Sequence, residues 1–176
     1  MQRKILIYNS QTENSISTKK LLSEKLIEKD FTIVSKLDSE VELIVCIGGD
    51  GTFLDLIHEF DFPEIPIIGI NTGHLGFFQE IMPDRLDEFI DNYIIQKYSI
   101  QSMQTVMAHV YHDGICEEFK GLNEIIIASN ANYAYSVHFD ISIAGSFIER
   151  FSGDGLLVST PAGSTAYNYS LGGSIV

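Results

Sequence analysis

Residues 42–60 read ELIVCIGGDGTFLDLIHEF. The first six are an almost unbroken apolar run, as in a strand of a parallel sheet covered on both faces. The last nine, TFLDLIHEF, place apolar residues at helical intervals and predict a helix. Between them stand Gly48, Gly49, Asp50 and Gly51. Glycines adopt positive φ without steric cost, so this turn is expected to curl and point successive N–H groups into one concavity, where the following helix adds the positive end of its dipole. Such a nest takes phosphate. It also falls at the carboxyl end of a strand, where open α/β sheets bind their ligands. The plainer reading of the same letters is a tight strand-to-helix turn with Asp50 exposed or capping the helix. It is neither G-x-G-x-x-G nor a P-loop, which would end in Gly-Lys-Ser/Thr.

Outward from this turn, the first half alternates strand and helix. RKILIYN (3–9), FTIV (31–34) and IPIIGI (65–70) read as strands. SISTKKLLSEKLIEKD (15–30) carries Ile16, Leu21, Leu22, Leu26 and Ile27 close to helical spacing, with Asn14 or Ser15 as the expected N-cap. MPDRLDEFIDNYI (82–94) opens with Pro83, tolerated in a first helical turn, and lines up Leu86, Phe89, Ile90, Tyr93 and Ile94. Strands alternating with helices imply an α/β layer on a parallel sheet.

From about residue 98 the period changes to two. QTVMAHVYHDGICEEFKG centres on Asp113-Gly114, a strong hairpin signal. SVHFDISIAGSFIERF alternates at Val137, Phe139, Ile141 and Ile143 and is expected to turn near Ala144-Gly145. The expected organisation is an α/β domain over 1–97 and a mostly antiparallel β domain over 98–176. The final SLGGSIV stops inside an apolar run, as if the chain were cut before its fold is complete.

Composition narrows the partners. The chain has 176 residues, 45% of them hydrophobic, enough for real cores. Twenty-four acidic residues against eleven basic ones give a net charge of -13, the wrong sign for holding nucleic acid through its phosphates. No apolar run reaches the ~18 residues of a membrane span. Cys46 and Cys116 stand far apart, and the N-terminus lacks a signal-peptide pattern, so a reduced, cytoplasmic setting is expected. No Lys or Arg occurs between Lys36 and Arg85, or after Arg150. Phosphates bound here would therefore rest on backbone amides and a metal ion. His74 has no second His or Cys at ligand spacing, and no residue is assigned as a metal ligand.

Two further glycine-punctuated loops follow apolar runs: GINTGHLGFF (69–78) and GDGLLVSTPAGSTAYNYSLGG (153–173). With GGDGTFL (48–54) and LNEI (122–125), they occur in the order and spacing of the NAD kinases, a family the sequence resembles. The GGDGT turn alone is shared with diacylglycerol and sphingosine kinases. The resemblance implies transfer of the ATP γ-phosphate to the adenosine 2′-hydroxyl of NAD, giving NADP. It implies ATP or polyphosphate as donor, Mg²⁺ or Mn²⁺ as cofactor, a homodimer or homotetramer, and a β-sandwich, incomplete in this chain, for the second domain.

By the same resemblance, Asp50 is the general base. Gly48, Gly49, Gly51 and Thr52 approach the phosphates, and Phe77 borders the cleft. Asn123 and Glu124 contact adenine and ribose. Asp154 reaches NAD across a subunit contact. Ala162, Thr165, Ala166, Tyr167, Asn168 and Ser170 line the adenine side. Read from the residues alone, Asn123 makes a turn, Glu124 is solvated and Tyr167 is a core aromatic. Two other functions stay open at this point: a diacylglycerol-type lipid kinase, and a nucleotide-binding fragment without turnover.

Overall fold

The computed structural model describes residues 3–74, 76–129 and 136–176. The chain divides into two compact units, Met1–Gln101 and Ser102–Val176.

The first unit runs β1 (Lys4–Asn9), α1 (Glu13–Glu28), β2 (Thr32–Val34), β3 (Val41–Gly48), α2 (Asp50–Glu59), β4 (Ile67–Asn71), a 3-10 turn (Pro83–Arg85) and α3 (Leu86–Ile94). Its four strands pair in the order β2-β1-β3-β4, every pair parallel. The odd-numbered residues Ile5, Ile7, Leu43, Val45 and Ile47 share one core with Leu22 and Leu26 of α1 and Leu86, Ile90 and Tyr93 of α3. Leu6, Ile44 and Cys46 alternate with them and are buried as well. Burial on both faces is why ELIVCI carries no period-two pattern. From β1 the chain steps outward to β2, and from β3 it steps the opposite way to β4. The carboxyl ends of β1 and β3 therefore flank a topological switch point, and the GGDG turn leaves from it.

Two local expectations are corrected. The N-cap of α1 is Thr12, not Asn14 or Ser15; its hydroxyl accepts from Ser15 N at 3.3 Å. Ser15 is drawn into the helix by a tertiary contact, a 2.6 Å hydroxyl–hydroxyl bond to Thr72. Helix α2 starts at Asp50, two residues earlier than TFLDLIHEF suggests, with Gly49 as N-cap at φ −119°. Positive-φ glycines are found at 114, 145 and 172, not at 48, 49 or 51. The curled glycine nest is thus replaced by a strand that enters a helix almost directly, and the free N–H groups are those of the first helical turn.

The second unit holds β5 (Val106–His112), β6 (Ile115–Gly121), β7 (Glu124–Ala128), β8 (Val137–Ile143), β9 (Ser146–Gly153), β10 (Gly155–Ser159), a 3-10 turn (Ala162–Thr165) and the one-turn α4 (Tyr167–Ser170). Its described strands form three antiparallel pairs, β5-β6, β8-β9 and β10-β7. Asp113-Gly114 and Ala144-Gly145 both have positive φ at both positions, the two-residue hairpin geometry that matches strand twist. In β8, Val137, Phe139 and Ile141 are half-buried, but Ile143 is exposed. A register shift between Ile141 and Ser142 breaks the alternation.

Candidate active site

Asp50 is the first residue of α2, and its carboxylate turns toward the loop that follows β4. Phe77 N donates to Oδ1 at 3.0 Å and Oδ2 at 2.9 Å, and Phe78 N donates to Oδ1 at 3.0 Å. A carboxylate offers about four lone-pair positions. Two on Oδ1 and one on Oδ2 are engaged by the loop amides, and one on Oδ2 remains.

The loop is closed at its base, where Asn71 N donates to Ile81 O at 2.7 Å and Ile81 N to Gly69 O at 3.0 Å. Inside it, the buried Asn71 side chain donates to His74 O and accepts from Gly73 N. His74 thus contributes through its carbonyl. Phe78 stacks on Phe53 of α2 with centroids 4.7 Å apart and planes 11° apart, locking the loop to the helix that carries Asp50. Phe77 is 75% exposed beside them. Leu75 lies outside the described residues.

The glycines of this region fall into two groups. A Cβ on Gly48 would overlap the Thr52 side chain, and one on Gly76 would overlap the Asp50 carboxylate. Clearance explains both. A Cβ on Gly49 or Gly51 would meet nothing within 4 Å, so packing gives no reason for glycine there. The amides of Asp50, Gly51 and Thr52 precede the first helical bond, Phe53 N to Gly49 O, and stand free at the positive end of the α2 dipole.

In the second unit, Asn123 and Glu124 stand at the mouth of β7. The Asn123 carbonyl accepts from Thr160 N at 2.8 Å and from the Ser159 and Thr160 hydroxyls. Asn123 Oδ1 and Glu124 Oε2 are buried with no hydrogen-bond partner among the described residues. Burial pushes the Glu124 carboxyl above its ordinary value. Buried acceptors are normally paired, so these two neighbouring oxygens are free to accept from a donor outside the chain.

The segment 162–170 packs close by. A Cβ on Gly163 would overlap the Asn123 backbone, so the turn lies directly on that residue. Ala162, Thr165, Tyr167 and Ser170 are exposed, Tyr167 at 49%, while Ala166 and Asn168 are half-buried. Tyr167 is therefore not the core aromatic that residue type alone would suggest. The Asn168 amide donates to Ser164 O and Ser174 O, fastening the segment together. Asp154 stands apart. It precedes β10 at the end where Gly155 pairs with Ala128, four residues along the ladder from Ser159 opposite Glu124, about 13 Å of strand.

Two participants escaped the sequence reading. Gln79, only 5% exposed, donates its amide to Gly49 O at 3.0 Å and leaves Oε1 buried without a partner. Gly76 makes room for the Asp50 carboxylate. The regular glycine punctuation of GINTGHLGFF was the only available signal for the second.

The described residues include no group of three or more His, Cys, Asp or Glu that could hold a metal ion. A Mg²⁺ or Mn²⁺ of the kind the resemblance implies would therefore have to be held mainly by substrate phosphates and water.

A parallel α/β layer with a glycine-flanked carboxylate at its switch point, in one chain with antiparallel β ladders, defines a class of two-part α/β-plus-β proteins. The particular family follows from comparison with known proteins. The family models for the ATP-NAD kinase N-terminal domain and C-terminal domain match residues 5–98 and 122–176, and the chain belongs to this family.

It is 38% identical over 174 residues to the NAD kinase of Finegoldia magna and 37% identical over 176 residues to that of Limosilactobacillus reuteri. Each match covers 98% of this chain and 63% of the relative, so the chain spans just under two thirds of their length. Among solved structures, yeast NADH kinase complexed with NADH superposes with a TM-score of 0.84 at 21% identity, over 99% of this chain and 62% of that one. An NAD kinase from Archaeoglobus fulgidus in complex with ATP gives 0.71 at 23%, over 99% and 67%. At these identities both establish the fold.

Proposed function

We propose that this chain carries the catalytic turn of an NAD kinase and transfers the ATP γ-phosphoryl group to the adenosine 2′-hydroxyl of NAD. The observation that carries this reading is the Asp50 carboxylate, held by two main-chain amides with a single acceptor position left on Oδ2. A hydroxyl donating to that position would be aligned to lose its proton there as its oxygen attacks phosphorus. The bond to the ADP leaving oxygen breaks in line, and ADP departs.

The free amides of the first α2 turn, reached past bare Gly49 and Gly51, would hold the phosphates. A divalent ion bound with the donor would neutralise phosphate charge. Asn123 Oδ1 and Glu124 Oε2 would accept from donors on the adenosine, with Tyr167 offering a stacking face. In this reading residues 1–97 handle phosphates and base chemistry, and 98–176 bind the acceptor. Subunit association, polyphosphate use and a cytoplasmic setting belong to the same proposal. Among the described residues no helix is long and apolar enough to cross a membrane.

The test is Asp50→Asn. The amide side chain is nearly isosteric, so the fold and ATP binding should persist while NADP formation falls by at least roughly 10²-fold, as for loss of a general base. Undiminished NADP formation would remove Asp50 from the role. A wild-type chain that binds NAD and ATP without forming NADP would favour a binding fragment.

A further inference from the structure

Beside α1 lies a second concavity of about 310 Å³, at the lower end of ligand-pocket sizes and large enough for a ring system. Its polar wall includes Asn14, Ser17, Thr18 and Thr72, and its apolar wall is Met82 and Pro83. None of the residues lining it is charged. Thr18 is 93% removed from solvent, 7% remaining exposed, and its hydroxyl has no hydrogen-bond partner among the described residues. A threonine on the buried face of a helix normally satisfies its hydroxyl. Here the hydroxyl faces a cavity instead.

The chemistry argues against an anion. In the first turn of α1, Ser15 N and Ile16 N are already satisfied by Thr12, and Glu13 supplies a negative charge. No lysine or arginine lines the wall. An amide able to donate and accept, an unpaired threonine hydroxyl open to the cavity and a sulfur-and-proline wall suit a flat, neutral heterocycle with an adjacent donor and acceptor. A purine has that edge. The nicotinamide ring of oxidised NAD carries a positive charge for which this wall offers no partner.

The cavity also adjoins the catalytic turn. Thr72 N donates to Gly48 O at 3.1 Å, two residues before Asp50, and Thr72 belongs to the loop that holds the Asp50 carboxylate. We infer that this cavity seats the purine base of the phosphate donor. The inference rests on the kinase reading for the identity of its ligand.

The test uses calorimetric titration of the full chain with ATP, NAD and inorganic tripolyphosphate separately. Thr18→Val keeps the shape and removes the hydroxyl; Ser17→Phe fills the cavity from an exposed rim position, leaving the core alone. Thr18→Val should weaken ATP roughly three- to tenfold, the loss of one hydrogen bond. Ser17→Phe should weaken ATP by more than about tenfold, since it excludes the ring. NAD and tripolyphosphate should bind both variants as they bind wild type. Unchanged ATP affinity in Ser17→Phe, a parallel loss of NAD affinity, or a wild-type chain that binds no ATP would overturn the inference. A chain that forms no NADP yet loses ATP affinity in these variants would refute the kinase reading and leave the cavity assignment standing.

Discussion

Substituting Gly76 by alanine tests whether the loop and Asp50 act as one unit. The new Cβ would lie 2.7 Å from Asp50 Cγ and 2.8 Å from Oδ2, and closer still to Oδ1. Carbon atoms in contact sit about 3.5–4.0 Å apart, so the carboxylate or the loop must move by the better part of an ångström. Either motion breaks the three bonds from Phe77 N and Phe78 N. Hydrogen bonds to a charged group contribute about 1.5–3 kcal/mol each when well shielded. Phe77 is largely exposed and all three bonds share one carboxylate, so about 2 kcal/mol for the set is a fair figure. With a urea slope of about 2 kcal/mol/M, the unfolding midpoint should fall by roughly 1 M. The decisive measurement is the double-mutant cycle. In an Asp50→Ala background the carboxylate is gone, and Gly76→Ala should cost less than about 0.5 kcal/mol more. If it costs the full amount there, the glycine answers to backbone conformation and the clearance argument is wrong.

Three further outcomes follow from the same structure. Burial pushes the Cys46 thiol up to about 12, whereas Cys116 is exposed, so a thiol reagent at pH 8 should label one equivalent in the native chain and two in denaturant. The Glu124 carboxyl is raised from 4.5 by burial, so the folded state binds its proton more tightly than the unfolded state does. Stability should therefore decline as pH rises from 4.5 through the folded-state value and then level off; Glu124→Gln should flatten that decline in thermal-melting profiles. Gly51→Ala should leave thermal stability unchanged or slightly raised, since the position lies in the first helical turn and is open, while weakening tripolyphosphate binding measured by calorimetry.

The sheet was legible because its central strands are continuous apolar runs, a pattern that only double-sided burial explains. The hairpins were legible from Asp113-Gly114 and Ala144-Gly145, where two-residue turn chemistry is local. Misreadings occurred where a distant residue decides. SQTENS offers several residues able to cap α1, and the choice of Thr12 is settled by Ser15 bonding to Thr72, 57 positions away. The GGDG turn suggested curled glycines because three glycines in four residues permit that conformation, but the strand runs almost directly into the helix and only Gly48 is needed for clearance. Gln79 and Gly76 act on the turn across separations of about 30 residues, which no local pattern records. Ile143 obeys the alternation by letter and breaks it in space because of a bulge.

The division among the glycines separates what the fold needs from what a ligand needs. Gly48 and Gly76 are fixed by atoms already present, Thr52 and the Asp50 carboxylate. Gly51 is different: alanine is the better helix former, and nothing in the structure crowds that position in the first turn of α2. A residue that weakens its own helix without a packing reason is explained by something outside the chain that must come close. The free amides of residues 50–52 at the helix's positive end suit an anion, as the proposed phosphate role requires. The absence of Lys and Arg between Lys36 and Arg85 is consistent with this, because a lysine reaching across this turn would fill the open space beside Gly49 and Gly51. Main-chain donors occupy no volume beyond the backbone itself. They can hold a carboxylate on one side of α2 and phosphates on the other while leaving a hydroxyl room to enter between them.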